Sequence, residues 1–207
     1  MLQPMEIRSW PWDVAPQHIK AQVLALQDAE WPETAAAPGE AAAAAGGAEP
    51  PAAAAAGHDP ALRPVTLVLL DGDVVVVTLD ILSKQIEHGG EHWAASGLSA
   101  VVTDPAQRGK GHGTRLVVAA RTAMRDAGAD FGVFSCDPAL VLFYEGAGWR
   151  ELPGAVLIGG TPEDPLPTDA LGKVVLAGFF SGRARSRAAS FRHSRIALFP
   201  GQIDKLW

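Results

Sequence analysis

The sequence predicts a mixed α/β domain, a mixed β-sheet flanked by helices. Two observations carry that expectation. Three β-rich runs follow one another between Val65 and Val102, and beyond them helix-like and strand-like segments alternate. A third observation points to the functional end of the domain. The stretch Gln107-Arg108-Gly109-Lys110-Gly111-His112-Gly113-Thr114 follows an apolar run and opens an amphipathic helical pattern.

At 207 residues, 48% of them hydrophobic, the chain is expected to form a single domain over residues 1–207 with a packed core. Its net charge of −6 argues against nonspecific nucleic-acid binding, which needs Lys and Arg to neutralise phosphates, and suits a cationic small substrate. The stretch Met1 to Glu6 lacks a basic region followed by an apolar core, and no apolar run approaches membrane-spanning length. A soluble cytoplasmic protein without membrane contact is the resulting expectation. The lone Cys136 excludes an intrachain disulfide and a multi-cysteine metal cage, and reads as a packed residue. No metal is expected.

In chain order, Met5 to Trp10 alternates as a first strand. Pro16 then begins a helical pattern to about Ala29, with Ile19, Val23 and Leu26 on one face. Trp10, Trp12 and Trp31 around it read as packing residues. Residues 35–57 are almost entirely Ala, Gly and Pro; the prolines and Gly46-Gly47 break any helix, so a disordered insert is expected, with a lid over the substrate side conceivable. Val65 to Leu70 and Val74 to Leu82 are strands around an Asp71-Gly72-Asp73 turn, the second continuing to His88 before His92 to Val102 returns. His88-Gly89-Gly90-Glu91-His92 matches a zinc-protease string, but that chemistry needs both histidines on one helix face, and two glycines between strands make a hairpin turn. After the glycine loop, Leu116, Val117, Ala120 and Met124 form a helical stripe capped near Gly128. Phe131 to Ser135 is a strand, Asp137-Pro138 caps a short helix over Ala139 to Gly146, and Trp149 opens a strand through Ile158. Gly159 to Gly172 reads as a loop, Lys173 to Leu176 as a last strand. Arg183, Arg185 and Arg187 read as a solvated helix face, and the apolar end as docked, with Trp207 partly buried.

Glycines at 109, 111 and 113 let the backbone lie close to a ligand, while the following helix turns its free N–H groups and positive dipole end toward it. A phosphate or pyrophosphate is the expected guest. No Gly-Lys-Ser/Thr closes the loop, and the G-x-G-x-x-G order is absent. Counted from Arg108, the pattern is Arg-x-x-Gly-x-Gly between strand and helix.

That pattern resembles the acyl-coenzyme A loop of the GNAT N-acetyltransferase superfamily, and the element order is similar to the GNAT acyl-CoA N-acyltransferase fold, an α+β arrangement whose mixed sheet is splayed at its centre. The resemblance implies acetyl-CoA as cosubstrate, its pyrophosphate held by Arg108, Gly109, Lys110, Gly111, His112, Gly113 and Thr114, and its pantetheine by Val101 and Val102. A second match, Phe143-Tyr144-Glu145-x-x-Gly148-Trp149, looks like the family's F/L-Y-x-x-x-G-W/F segment. It implies Tyr144 as the general acid that protonates the departing thiolate. Many members carry a glutamate base on the strand before the loop; Gly97 to Val102 has no carboxylate, and Asp80, Glu87 and the carboxylate of Trp207 are candidates that spacing does not separate. Within the superfamily the chain looks most similar to aminoglycoside 2'-N-acetyltransferases, which implies substrate contacts at Ser135, Asp169, Asp204 and Trp207. The function implied is acetyl transfer to a primary amine of a small cationic molecule. A noncatalytic acyl-CoA-binding domain and a protein or peptide N-acetyltransferase are the rivals. The oligomeric state stays open, a homodimer included.

Overall fold

The computed structural model describes residues 5–32 and 58–198. The insert 35–57, Asp204 and Trp207 lie outside the described residues. A seven-stranded sheet carries the architecture. β1 (Glu6–Pro11) leads through a 3-10 turn into α1 (Gln17–Glu30), and β2 (Val65–Asp71), β3 (Val74–His88) and β4 (Glu91–Thr103) form an antiparallel meander beside it. β3 and β4 are dense in Val, Ile, Leu and Ala, as strands covered on both faces require. The Gly89-Gly90 turn between them, both residues at positive φ, is the hairpin read from the sequence. His88 there bonds the Ser190 carbonyl and stacks on Phe191, which commits it to packing.

After β4 the glycine loop enters α2 (His112–Asp126), whose Gly113, Leu116, Val117, Ala120 and Met124 are buried against the sheet. β5 (Phe131–Cys136), α3 (Val141–Gly146), β6 (Arg150–Glu151) and β9 (Val174–Phe179) complete the sheet in the order β1-β2-β3-β4-β5-β9-β6. β5 pairs β4 in parallel only at Ala95↔Phe131 and Ser96↔Gly132. Beyond Ser96 the two strands diverge, so the sheet splays at its centre.

Four expectations need correction. Trp149 does not open a continuous strand to Ile158: Pro153, which lacks an N–H, and Gly154 at φ 64° end β6, and the chain re-forms as β7 (Val156–Gly160). The loop from Gly159 to Gly172 contains a further strand, β8 (Pro165–Pro167), paired with β7. α4 (Gly182–Arg187) is followed by β10 (Arg195–Ala197), which the sequence reading missed, and β10-β7-β8 form a second sheet. Asp137 makes no capping hydrogen bond; its Oδ1 binds Lys173 Nζ at 2.6 Å, and the short helix begins as a 3-10 turn.

Two apolar layers cover the main sheet. Leu67, Leu69, Val77, Leu79 and Ile81 pack with Leu116, Val117 and Ala120 on the α2 face, where Phe134, Tyr144 and Trp149 also sit. On the other face α1 covers Val68 and Leu70, and the second sheet covers Leu82, Ile86, Phe131 and Val133.

Candidate active site

The splay defines the site. Where β4 loses β5, a cleft of about 560 Å³ opens on the α2 face, lined by Glu30 of α1, Val101 and Thr103 of β4, the loop from Gln107 to Thr114 except Lys110, and Leu140, Phe143 and Tyr144 before and within α3. A β-bulge shapes its wall: Asp80 pairs Ser99 but Thr78 pairs Val102, so Ala100 and Val101 together face Leu79, with Ala100 at φ 47°.

The loop presents a concentrated donor array. Gly109 and Gly111 hold φ of 76° and 79°, Gly111 serving as N-cap of α2, a conformation that residues with a Cβ rarely adopt. The result is that the backbone N–H groups of Gly109 to Thr114 have no acceptor among the described residues. Free amides at the start of a fifteen-residue helix constitute an anion site, reinforced by the helix dipole. Arg108 lies beside them, its Nε bonded to the Thr103 carbonyl at 3.2 Å and its Nη2 paired with the carboxylate of Glu30 at the end of α1.

Tyr144 lies across the cleft, its side chain packed edge-on against Phe134 and Phe143 with ring centroids 4.8 Å from each. Burial raises its phenol pKa above the ordinary value of 10, with smaller contributions from Cys136 and Asp137. The hydroxyl therefore stays protonated at neutral pH. Burial also pushes the Cys136 thiol up to about 11.

The cleft thus brings together Val101, Arg108, Gly109, Gly111, His112, Gly113, Thr114 and Tyr144 of the residues selected from sequence. It does not include Lys110, whose ammonium bonds Gln107 Oε1 at 2.8 Å. Val102 is buried and, by strand alternation, shares the opposite face with Thr78 and Asp80, so it does not flank the cleft with Val101. Ser135 also belongs to that opposite face, in line with Phe131 and Val133. Asp169 is exposed, its carboxylate capping Ala170 N and facing Arg195. Sequence reading missed Glu30, which reaches the cleft only through its 78-residue separation from Arg108, and Phe143, whose ring abuts the Gly113 position. Among the described residues no cluster of His, Cys, Asp or Glu could hold a metal.

Residues 23–152 match a family model described as an acetyltransferase (GNAT) domain. A comparison with curated proteins returns no match. Among solved structures the chain is similar to an acyl-CoA N-acyltransferase from Pseudomonas aeruginosa, at TM-score 0.55 and 15% identity over 84% of this chain and 99% of that one. It is also similar to ElaA of Escherichia coli, at TM-score 0.53 and 14% identity with the same coverage, and to an acetyltransferase from Streptococcus agalactiae, at TM-score 0.52 and 16% identity over 86% and 99%.

Proposed function

Because the chain belongs to the GNAT acetyltransferase family, what it acetylates is the question, and we propose a primary amine of a small cationic molecule, with acetyl-CoA as donor. The observation that carries this reading is the row of unpaired amides from Gly109 to Thr114 in one cleft with Tyr144. The amides suit a pyrophosphate; Val101, in the diverging part of β4, suits an extended acyl-pantetheine chain that occupies the gap β5 leaves. The acetyl carbonyl held there meets β4 backbone N–H groups as its charge develops, and Tyr144 supplies a proton to the leaving sulfur. A desolvated thiolate is itself a stronger base, as the raised Cys136 thiol in the adjoining core illustrates, so a phenol with raised pKa remains a matched donor.

The acceptor then approaches from the opposite face, through the opening between β4 and β5, where Ser99 and Ser135 flank the gap. An aminoglycoside is the finer reading, supported by the net charge of −6 and by the resemblance of Ser135, Asp169, Asp204 and Trp207 to that group's residues. Thiol release from acetyl-CoA across a panel of aminoglycosides, polyamines, amino acids and peptides tests it, with the acetylated nitrogen located by mass spectrometry. Turnover confined to aminoglycosides is expected. Turnover confined to peptides identifies a protein acetyltransferase instead, and coenzyme A binding without turnover of any amine identifies a binding domain.

A further inference from the structure

Asp80 is a carboxylate in the middle of the apolar strand β3, only 4% exposed. An unpaired buried carboxylate costs several kcal/mol, so its partners define its state. Thr66 Oγ1 donates to Oδ1 at 2.5 Å, and His58 Nε2 lies 3.1 Å from Oδ2. His58 belongs to no helix or strand, and its side chain is 11% exposed. The carboxylate places the imidazole proton on Nε2 and leaves the Nδ1 lone pair available.

Position gives this dyad a use. Asp80 is the direct cross-strand partner of Ser99, and Ala100 and Val101, which form the bulge at the cleft wall, follow immediately. Paired Cα atoms lie about 4.5–5.5 Å apart, so the dyad flanks the sheet opening on the face away from α2. That is the face from which an acceptor would meet a thioester held on the α2 side. β4 itself carries no carboxylate between Gly97 and Val102.

We propose that His58, oriented by Asp80 and Thr66, is the proton acceptor for the incoming amine, directly or through one water. The inference rests on the reading of the chain as an amine acetyltransferase. His58 Nδ1 takes one proton from the ammonium, and the freed nitrogen lone pair attacks the thioester carbon. The C–N bond forms, the C–S bond breaks, and its electron pair leaves on sulfur, which takes the Tyr144 proton. The second nitrogen proton returns to Tyr144 through solvent, and His58 releases its own to solvent. The sum is ammonium plus thioester giving amide, thiol and one proton. Other charged groups near the dyad are Lys84, two positions further along the same face of β3, and Asp59 and Arg63 of the His58 segment. Asp59 is held by Ala61 N, and Arg63 by the Ser83 carbonyl. β2, β4 and the buried stripe of α1 contribute Thr66, Ser99 and Gln27, none of which ionises.

The test compares wild type, His58→Gln and Asp80→Asn on the best alkylamine of the panel and on hydrazine, a much weaker base that is substantially unprotonated at pH 8, where the alkylamine is not. His58→Gln is expected to lower kcat for the alkylamine about 10²–10⁴-fold with coenzyme A affinity unchanged, while hydrazine loses less than tenfold. Equal losses for both acceptors at every pH, or none, overturn the inference and leave the amine reading standing. A wild type that acetylates no amine overturns both. Should the variants not fold, ¹⁵N NMR of the wild-type ring decides: an Nε2–H tautomer supports the dyad, and an Nδ1–H tautomer overturns it.

Discussion

Tyr144→Phe separates a chemical role from a packing role more cleanly than any other substitution in the cleft. Phenylalanine keeps the ring and hence both 4.8 Å contacts with Phe134 and Phe143, and removes one oxygen. No described residue hydrogen-bonds that oxygen, so the stability change should stay within about 1 kcal/mol, the range of a single modest hydrogen bond or its desolvation. Positioned general acids contribute about 10²–10⁴-fold, which at 1.36 kcal/mol per decade raises the barrier by roughly 2.7–5.4 kcal/mol. The expected result is therefore a kcat lower by at least a hundredfold, an unchanged coenzyme A dissociation constant by calorimetry, and a Tm within a few degrees of wild type. The phenol pKa is raised by burial, so wild-type activity should show no alkaline decline from loss of this proton below pH 10. A variant retaining a third of wild-type kcat would refute the general-acid role. A large Tm drop accompanying the loss of rate would show the hydroxyl to be structural.

Three further outcomes follow from the packing and from burial. A Cβ at Gly132 would stand 2.6 and 2.7 Å from ring carbons of Trp149, which is fully buried with Phe134 edge-on beside it, so Gly132→Ala should cost about 1–3 kcal/mol, and a thermal melt unchanged from wild type would show that the indole has room to retreat. With its thiol pushed up to about 11, Cys136 should carry roughly one thiolate per thousand at pH 8 and alkylate with iodoacetamide far more slowly in the native protein than in urea; equal rates would place it on the surface. Burial lowers Lys84 from 10.5 to about 8, so between those values the unfolded chain binds a proton that the folded chain does not, and this group makes stability rise with pH. Below pH 8 both states carry the charge and the burial cost is present in full. The difference between Lys84→Met and wild type in denaturant midpoint should accordingly move in favour of wild type from pH 7 to pH 10.5; a pH-independent difference would show that burial of the charge is not its source.

What sequence disclosed and what it hid divide along the range of the interactions. The β3–β4 hairpin, α1 and α2 were legible because each is specified locally, by two glycines at positive φ, by a 3.6-residue apolar stripe, or by a glycine N-cap. The donor array of the loop was legible for the same reason: helix termini leave amides free whatever the rest of the chain does. β10 was invisible because three residues, Arg195 to Ala197, gain strand geometry only by pairing with Val156 to Ile158, some forty positions away. Asp137 had the residue type and position of a cap, and lost that role to an ammonium 36 residues downstream. Val101 and Val102 were selected together, although strand alternation lets only one of two neighbours face a cleft; the bulge at Ala100 decides which.

The same division bears on how the reaction is distributed over the fold. Everything that would hold the acyl donor comes from one contiguous stretch, Val101 to Thr114, plus Tyr144, and such a stretch carries its geometry wherever the strand and helix around it form. The groups proposed for the acceptor side come from β3, β4, β5 and the segment at His58, four places with no fixed spacing between them. Donor recognition is therefore readable as a motif, and acceptor recognition is not, because its residues can change strand while keeping the same face and distance from the opening. The pairing of Asp80 with Ser99 illustrates that freedom: a carboxylate one strand removed reaches the same side of the same gap, so the lack of an acidic residue between Gly97 and Val102 of β4 says nothing against proton transfer at this site.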